Sequence, residues 1–179
     1  MEAAGVLGSI GNTPLVRLTH MTPEDAAEIW AKWEGANPTG SMKDRMALSM
    51  VEGAERRGEL RRGGRVVEYT GGSTGGSLAM VCAAKGYGAH LVSSDAFAEE
   101  KLRTMRAFGA DLDIIPSEDR KITPALIQAM IDGAAELAEE PGTFWTDQFN
   151  NPDNRQAYRR MAEETLRDVP ERIDAFVMV

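Results

Sequence analysis

Lys43 follows Gly40 and Ser41 in the stretch EGANPTGSMKDRMALSM, residues 34–50, at the head of a segment whose apolar residues recur with helical spacing. Met42, Met46, Ala47, Met50, Val51 and Ala54 fall on one face. A cation in a first helical turn is electrostatically misplaced, because a helix N-terminus already carries partial positive charge. That field, with any burial, favours the neutral amine, and a neutral amine is the nucleophile needed for Schiff-base formation with a carbonyl. Ser41 and Asp44, three residues on, resemble a capping box with Asp in place of Glu, which puts Lys43 in the first turn. The same residues also fit a plain surface lysine near a helix start. A Ser41–Lys43 hydrolytic dyad has no further support in the chain, and capping already accounts for Ser41.

The second stretch with chemical content is EYTGGSTGGSLA, residues 68–79. A glycine-rich turn between strand and helix lets backbone approach a ligand, and the helix beyond it offers free N–H groups to an anion. Thr70, Ser73 and Thr74 add hydroxyls there, so a carboxylate or phosphate could be held. A tight connection without a ligand fits the glycines equally well. A dinucleotide-binding reading also exists: TGGSTG follows a strand and opens a helix, and Asp95, 20 residues beyond Gly75, ends the next strand. Thr70 then stands where the fingerprint's first glycine belongs, and Lys43 has no role.

The elements that must position these residues alternate. RVVEYT reads as a strand, GGSTGG as a turn, SLAMVCAAKGYG as a helix closed by Gly86 or Gly88, and AHLVSSD as a strand. AEEKLRTMRAFGA is a helix stopping at Gly109, LDIIPS a strand, and TPALIQAMIDGAAELAEE a helix capped by Thr123 with Pro124 at its first position. TFWTDQF is extended, RQAYRRMAEETLRDV helical, and DAFVMV a final apolar strand. Strand and helix taking turns predicts a three-layer α/β sandwich with a mostly parallel sheet. DAFVMV reads as a buried strand with no loop or helix after it, so a fragment of a longer protein is expected.

Twenty basic against 28 acidic residues give a net charge of −8 with no basic stripe, which argues against nucleic acid as a partner. One cysteine, Cys82, excludes a disulfide framework and suits a reducing compartment. It shares the apolar side of its helix with Leu78 and Val81 and reads as a core thiol. His20 and His90 have no ligand spacing to each other or to Cys82, so no metal site follows. Arg155, Arg159, Arg160, Glu163 and Glu164 read as a solvated helix face. No signal-peptide pattern or membrane span is visible, and a soluble cytoplasmic protein is expected.

Four stretches together resemble one family: IGNTPLVRL (10–18), NPTGSMKDR (37–45), TGGSTG (70–75) and DQFNNPDN (147–154). In order and spacing they look like the cysteine synthase and cystathionine β-synthase family, fold type II enzymes that use pyridoxal 5'-phosphate and share a tryptophan synthase β-like fold. The resemblance implies that Lys43 bonds the cofactor as a Schiff base and later moves the substrate's α-proton. It implies that Thr70, Gly71, Gly72, Ser73 and Thr74 grip the substrate carboxylate, with Gln148 assisting. The expected organisation is residues 1–40 as the start of a larger cofactor domain, 41–145 as a smaller α/β domain, and 146–179 as the beginning of the larger domain's remainder. The implied activity is β-replacement or β-elimination on a serine-type amino acid, a transferase or lyase chemistry with sulfide or a thiol as second substrate. A homodimer is implied for the full-length protein.

The chain departs from the family at three places. Gly71 and Ser73 stand where the loop usually reads T-S-G-N-T-G, so Ser73 replaces an asparagine that hydrogen-bonds the cofactor's ring hydroxyl. MAEETL (161–166) replaces T-T-G-P-E-I. The G-T-G-G-T turn that cradles the cofactor phosphate, and a later serine, have no counterpart, so the second half of the larger domain is read as missing. Weak cofactor binding and poor turnover by the 179 residues alone are expected, with a non-catalytic fragment as the alternative.

Overall fold

The computed structural model describes residues 5–20, 22–23, 25–169 and 172–178. Four strands, β3 (Arg65–Tyr69), β4 (Gly88–Ser94), β5 (Asp111–Ile115) and β6 (Thr143–Trp145), form one sheet in the order β5-β4-β3-β6, and every pair in it is parallel. The linking helices are α2 (Ser73–Lys85), α3 (Glu99–Ala107) and α4 (Pro124–Ala138), with α1 (Lys43–Arg57) before the sheet and α5 (Pro152–Asp168) after it. Ahead of α1, β1 (Leu15–Arg17) and β2 (Trp30–Lys32) form a small antiparallel ladder with Val16 opposite Ala31. These three-residue strands carry no alternation long enough to be read from sequence.

The pleat sorts the core into two layers. Val66 and Leu91 face α1, α2 and α3, joining Met46, Met50, Leu78 and Met105. Val67 and Val92, one residue on, face the opposite side with Leu126, Met130 and Ala134 of α4. Helices on both faces of a parallel sheet make the expected three-layer sandwich. Full burial of each Met or Leu here contributes about 1.5–3 kcal/mol.

Caps account for the helix bounds. Thr123 accepts from the Leu126 N–H at 3.2 Å and Pro124 opens α4, as expected. Gly86, with φ 76°, closes α2 while the Tyr87 N–H returns to the Cys82 carbonyl at 2.9 Å.

Three expectations are corrected. GGSTGG is not a turn throughout: α2 begins at Ser73, and Gly75 lies inside its first turn, where a Cβ would stand 2.6 Å from both the Met105 Cε and the Thr70 Cγ2. Glycine there permits close packing rather than a bend. Helix α5 starts at Pro152, three residues early, because Asn151 caps it by accepting from the Asp153 N–H at 3.0 Å. DAFVMV is not a strand in its described residues, 174–178; Phe176 and Val177 are 62% and 82% exposed. Apolar content alone does not make a strand, which exists through a neighbour's hydrogen bonds, and neither sheet edge, β5 nor β6, pairs with this segment.

Candidate active site

Lys43 is the first residue of α1 and is half-buried. The chain holds five lysines. Lys32, Lys85, Lys101 and Lys121 each meet a carboxylate, at 3.0, 3.1, 3.8 and 3.2 Å. Among the described residues, Lys43 alone has no such partner.

The expected capping box does not form. Ser41 Oγ accepts from the Lys43 N–H at 3.1 Å, but the Asp44 carboxylate turns away from it. Asp44 is wholly buried and accepts from the Thr39 N–H (2.8 Å), the Thr39 hydroxyl (2.5 Å) and the Ser77 hydroxyl (2.6 Å). Ser77 lies one turn into α2, so Asp44 couples the head of α1 to the helix that carries the glycine loop. Aspartate suits this better than a cap, because its two oxygens can satisfy three donors at once.

Arg45 is a second anchor. Its guanidinium is 3% exposed and lies between Glu34 (2.7 and 2.9 Å) and Glu164 (2.9 and 2.7 Å). Glu164 also meets Lys32 at 3.0 Å and accepts from the Asn12 N–H at 3.0 Å. Burial raises the Glu164 carboxyl, but the bonds from Arg45, Asn12 and Lys32 outweigh it and hold it at about 2. Glu164 is therefore no part of a solvated face; its side chain is 2% exposed, whereas Arg159 and Glu163 are about as exposed as expected. A Cβ on Gly11, which has φ 85°, would stand 2.9 Å from Arg45 Nη1, so glycine at residue 11 is what lets this segment pack on the guanidinium.

The glycine loop is built on Thr70. Its hydroxyl accepts from the Gly72 and Gly75 N–H groups at 3.1 and 3.2 Å, and its carbonyl accepts from the Ser93 hydroxyl at 2.7 Å. Gly76 N–H reaches the Gly72 carbonyl at 3.3 Å. That leaves the Ser73 and Thr74 amides as the first-turn donors of α2 with no acceptor among the described residues. Two adjacent unpaired amides at a helix N-terminus are suited to a carboxylate.

Gln148 joins the loop from beyond β6. It accepts at Oε1 from the Thr74 hydroxyl (2.9 Å) and donates from Nε2 to the Tyr69 carbonyl (3.2 Å). Its backbone N–H donates to Glu68 Oε2 at 2.9 Å. Strands β3 and β6 are parallel neighbours, so the segments after them emerge side by side at the carboxyl ends, where open α/β sheets bind ligands. The structure thus brings Thr70, Gly71, Gly72, Ser73, Thr74 and Gln148 together, and ties Lys43 to them through Asp44 and Ser77.

Two participants were not foreseen. Glu68 is fully buried under Gln148, its carboxyl pushed up by burial against hydrogen bonds from the Thr146 hydroxyl (2.6 Å) and the Gln148 and Tyr69 amides. The signal was one charge inside the apolar run RVVEY. Phe97 places its ring against Gly71, and nothing in local sequence marks it. Asp95, the ribose-binding candidate, accepts from the Ser117 N–H at 2.8 Å and so braces the chain after β5.

The residues present fit the aldehyde end of a pyridoxal group: an unpaired amine, the exposed Ser73 hydroxyl, and free amides for an attached carboxylate. The sequence profile of the family described as "Pyridoxal-phosphate dependent enzyme" matches residues 6–179. The chain belongs to this family. It is 43% identical over 170 residues to cysteine synthase B of Escherichia coli, covering 94% of this chain and 54% of that protein. It is 40% identical over 176 residues to the cysteine synthase of a Flavobacterium species, covering 97% and 55%. Among solved structures, O-ureido-L-serine synthase superimposes with a TM-score of 0.86 at 41% identity, covering 94% of this chain and 52% of that one. A hydrogen sulfide-producing enzyme of Fusobacterium nucleatum gives 0.83 at 37% identity, covering 93% and 54%. The chain spans about half the length of the relatives it matches.

Proposed function

We propose that this chain carries the lysine and the substrate loop of a pyridoxal-phosphate-dependent β-replacement enzyme acting on an O-activated serine, with sulfide or a thiol as the second substrate. The observation that carries the reading is Lys43, the one lysine without a carboxylate partner among the described residues, coupled through Asp44 and Ser77 to a helix with two unused N-terminal amides. The names of the relatives, cysteine synthases and an O-ureido-L-serine synthase, support the serine-type substrate. A variant of that synthase with a lysine replaced by alanine was solved with O-ureido-L-serine bound, which supports a lysine at the centre of the chemistry.

Lys43 would hold the cofactor through its aldehyde, with Ser73 beside the ring hydroxyl directly or through water. When bound, the cofactor supplies an electron sink for charge developing at the amino-acid Cα. The Ser73 and Thr74 amides bind the carboxylate and fix the Cα. Gln148 keeps the Thr74 hydroxyl turned to one side, and Glu68 keeps Gln148 in place. Lys43, once its amine is free, takes the proton from Cα and can return one. The division into residues 1–40, 41–145 and 146–179 belongs to this reading. So does a reducing, cytoplasmic setting, which the free and buried Cys82 favours.

The test is spectroscopic. Pyridoxal 5'-phosphate added to the purified chain should give a visible absorbance band that is absent in Lys43→Ala and altered by O-acetyl-L-serine. A colourless protein that stays colourless with excess cofactor would overturn the assignment.

A further inference from the structure

Three successive side chains at the head of α1 leave the helix on three sides. Arg45 reaches Glu34 and Glu164, the latter on α5, and Asp44 reaches Ser77 on α2. Successive residues of a helix are about 100° apart, so Lys43 stands about 200° round from Arg45 and about 100° from Asp44. It shares its face with Ala47, one turn on, which is wholly buried. Lys43 therefore lies on the side of α1 away from both carboxylates that Arg45 holds. That placement accounts for an amine with no ion-pair partner among the described residues.

Arg45 is held in a braced frame. Nε and Nη2 donate to Glu34 at 2.7 and 2.9 Å, while Nη1 and Nη2 donate to Glu164 at 2.9 and 2.7 Å. Glu34 is itself held by the Thr13 hydroxyl at 2.6 Å and by Asn37 Nδ2 at 2.9 Å. A planar guanidinium forked onto two carboxylates fixes direction as well as distance. The far end of α1 is tied to the same helix more openly: Arg57 meets Asp153 of α5 at 2.6 Å with 41% of its side chain exposed.

We infer that Arg45 is a positioning residue, which sets the rotation of α1 about its own axis and through it the place of the Lys43 amine. The inference rests on the reading of Lys43 as the residue that bonds the cofactor aldehyde. A side chain ends roughly 6 Å from the helix axis, so a turn of about 10° displaces that end by about 1 Å. A displacement of ~1 Å at a reacting group can cost about a hundredfold in rate.

Titration of the purified chain with pyridoxal 5'-phosphate, followed by borohydride reduction and peptide mapping, reads the affinity of Lys43 for the aldehyde. Urea denaturation of the same proteins reads stability. Arg45→Gln should lower the urea midpoint and weaken the affinity by about tenfold, the lower end for partners that orient a bonding side chain. Adding Glu164→Gln removes a buried carboxylate left without its main cation, so the double variant should recover part of the midpoint and none of the affinity. Where Arg45→Gln alone does not fold, the double variant carries the comparison with the native chain. Arg57→Gln, at the other end of α1, should lower the midpoint and leave the affinity unchanged. Affinity that is unchanged in the Arg45 variants, that recovers with the midpoint in the double variant, or that falls equally in Arg57→Gln would overturn the positioning role and leave Lys43 as the bonding residue. A native chain that takes no cofactor at Lys43 would overturn that reading, and the role of Arg45 with it.

Discussion

The Thr74 hydroxyl donates to Gln148 Oε1 across 2.9 Å, a buried bond between residues 74 positions apart that joins the carboxyl ends of two parallel strands. Thr74→Val keeps the shape but leaves a buried amide oxygen without its donor, at a cost of about 1–3 kcal/mol. Urea denaturation should show that loss, and Thr74→Ser should recover most of it. Carboxylate binding by the loop should weaken in Thr74→Val and not in Thr74→Ser.

Asp44 makes a stronger case. Asp44→Ala removes the acceptor for the Thr39 N–H, the Thr39 hydroxyl and the Ser77 hydroxyl at a place where Asp44 and Ser77 are wholly buried and Thr39 is half-buried. A loss of about 3 kcal/mol is expected in urea denaturation, because buried donors left unpaired keep their full desolvation penalty. Asp44→Asn should fall between, since its single carbonyl oxygen cannot serve all three donors.

The strands and helices of the sheet were legible because their signals are local: Val66 and Val67 in a short apolar run, Thr123-Pro124 as a cap, Gly86 as a stop. The loop residues and Lys43 were legible for the same reason, as types at a spacing. What escaped depends on partners distant in the chain. Asp44 looks like a capping residue until Ser77, 33 positions on, takes its carboxylate. Glu164 looks like any charge on an exposed helix until Arg45, 119 positions back, meets it. The glycines at 75 and 76 looked like a turn because helix propensity counts them as breakers, whereas Met105 and Thr70 require the missing Cβ at 75. The apolar end of the chain misled in the opposite way, promising a strand that finds no neighbour among the described residues.

Acid should release the Arg45 anchor. Glu164 is held at about 2 against an ordinary value of 4.5, and Glu34 is also lowered, in both cases because Arg45 and neighbouring donors overcome burial. A carboxylate lowered in the folded state contributes stability that is complete above pH ~4.5 and is lost as pH falls toward 2, here about 3 kcal/mol for Glu164. Burial raises Glu68, which acts in the opposite sense, so the informative comparison is with Glu164→Gln. That variant should unfold at lower urea at pH 7 and show a flatter pH dependence between pH ~4.5 and ~2.

Cys82 should be silent in the folded chain. It has no exposed surface, and burial pushes its thiol up to about 12. The thiolate is the reactive form, so a disulfide reagent should give no colour with the native protein and one equivalent after unfolding in urea. Rapid reaction of the native protein would show that α2 opens readily.

The carboxylate of Asp44 makes the distance between the α1 head and the α2 first turn a fixed gauge. Under the proposed function, a ligand bonded to Lys43 at one end and to the Ser73 and Thr74 amides at the other would be measured against that gauge, so its length would bear on whether it fits. Replacing Asp44 with Glu would lengthen the gauge by one methylene, and the chain would then answer to a ligand of a different reach.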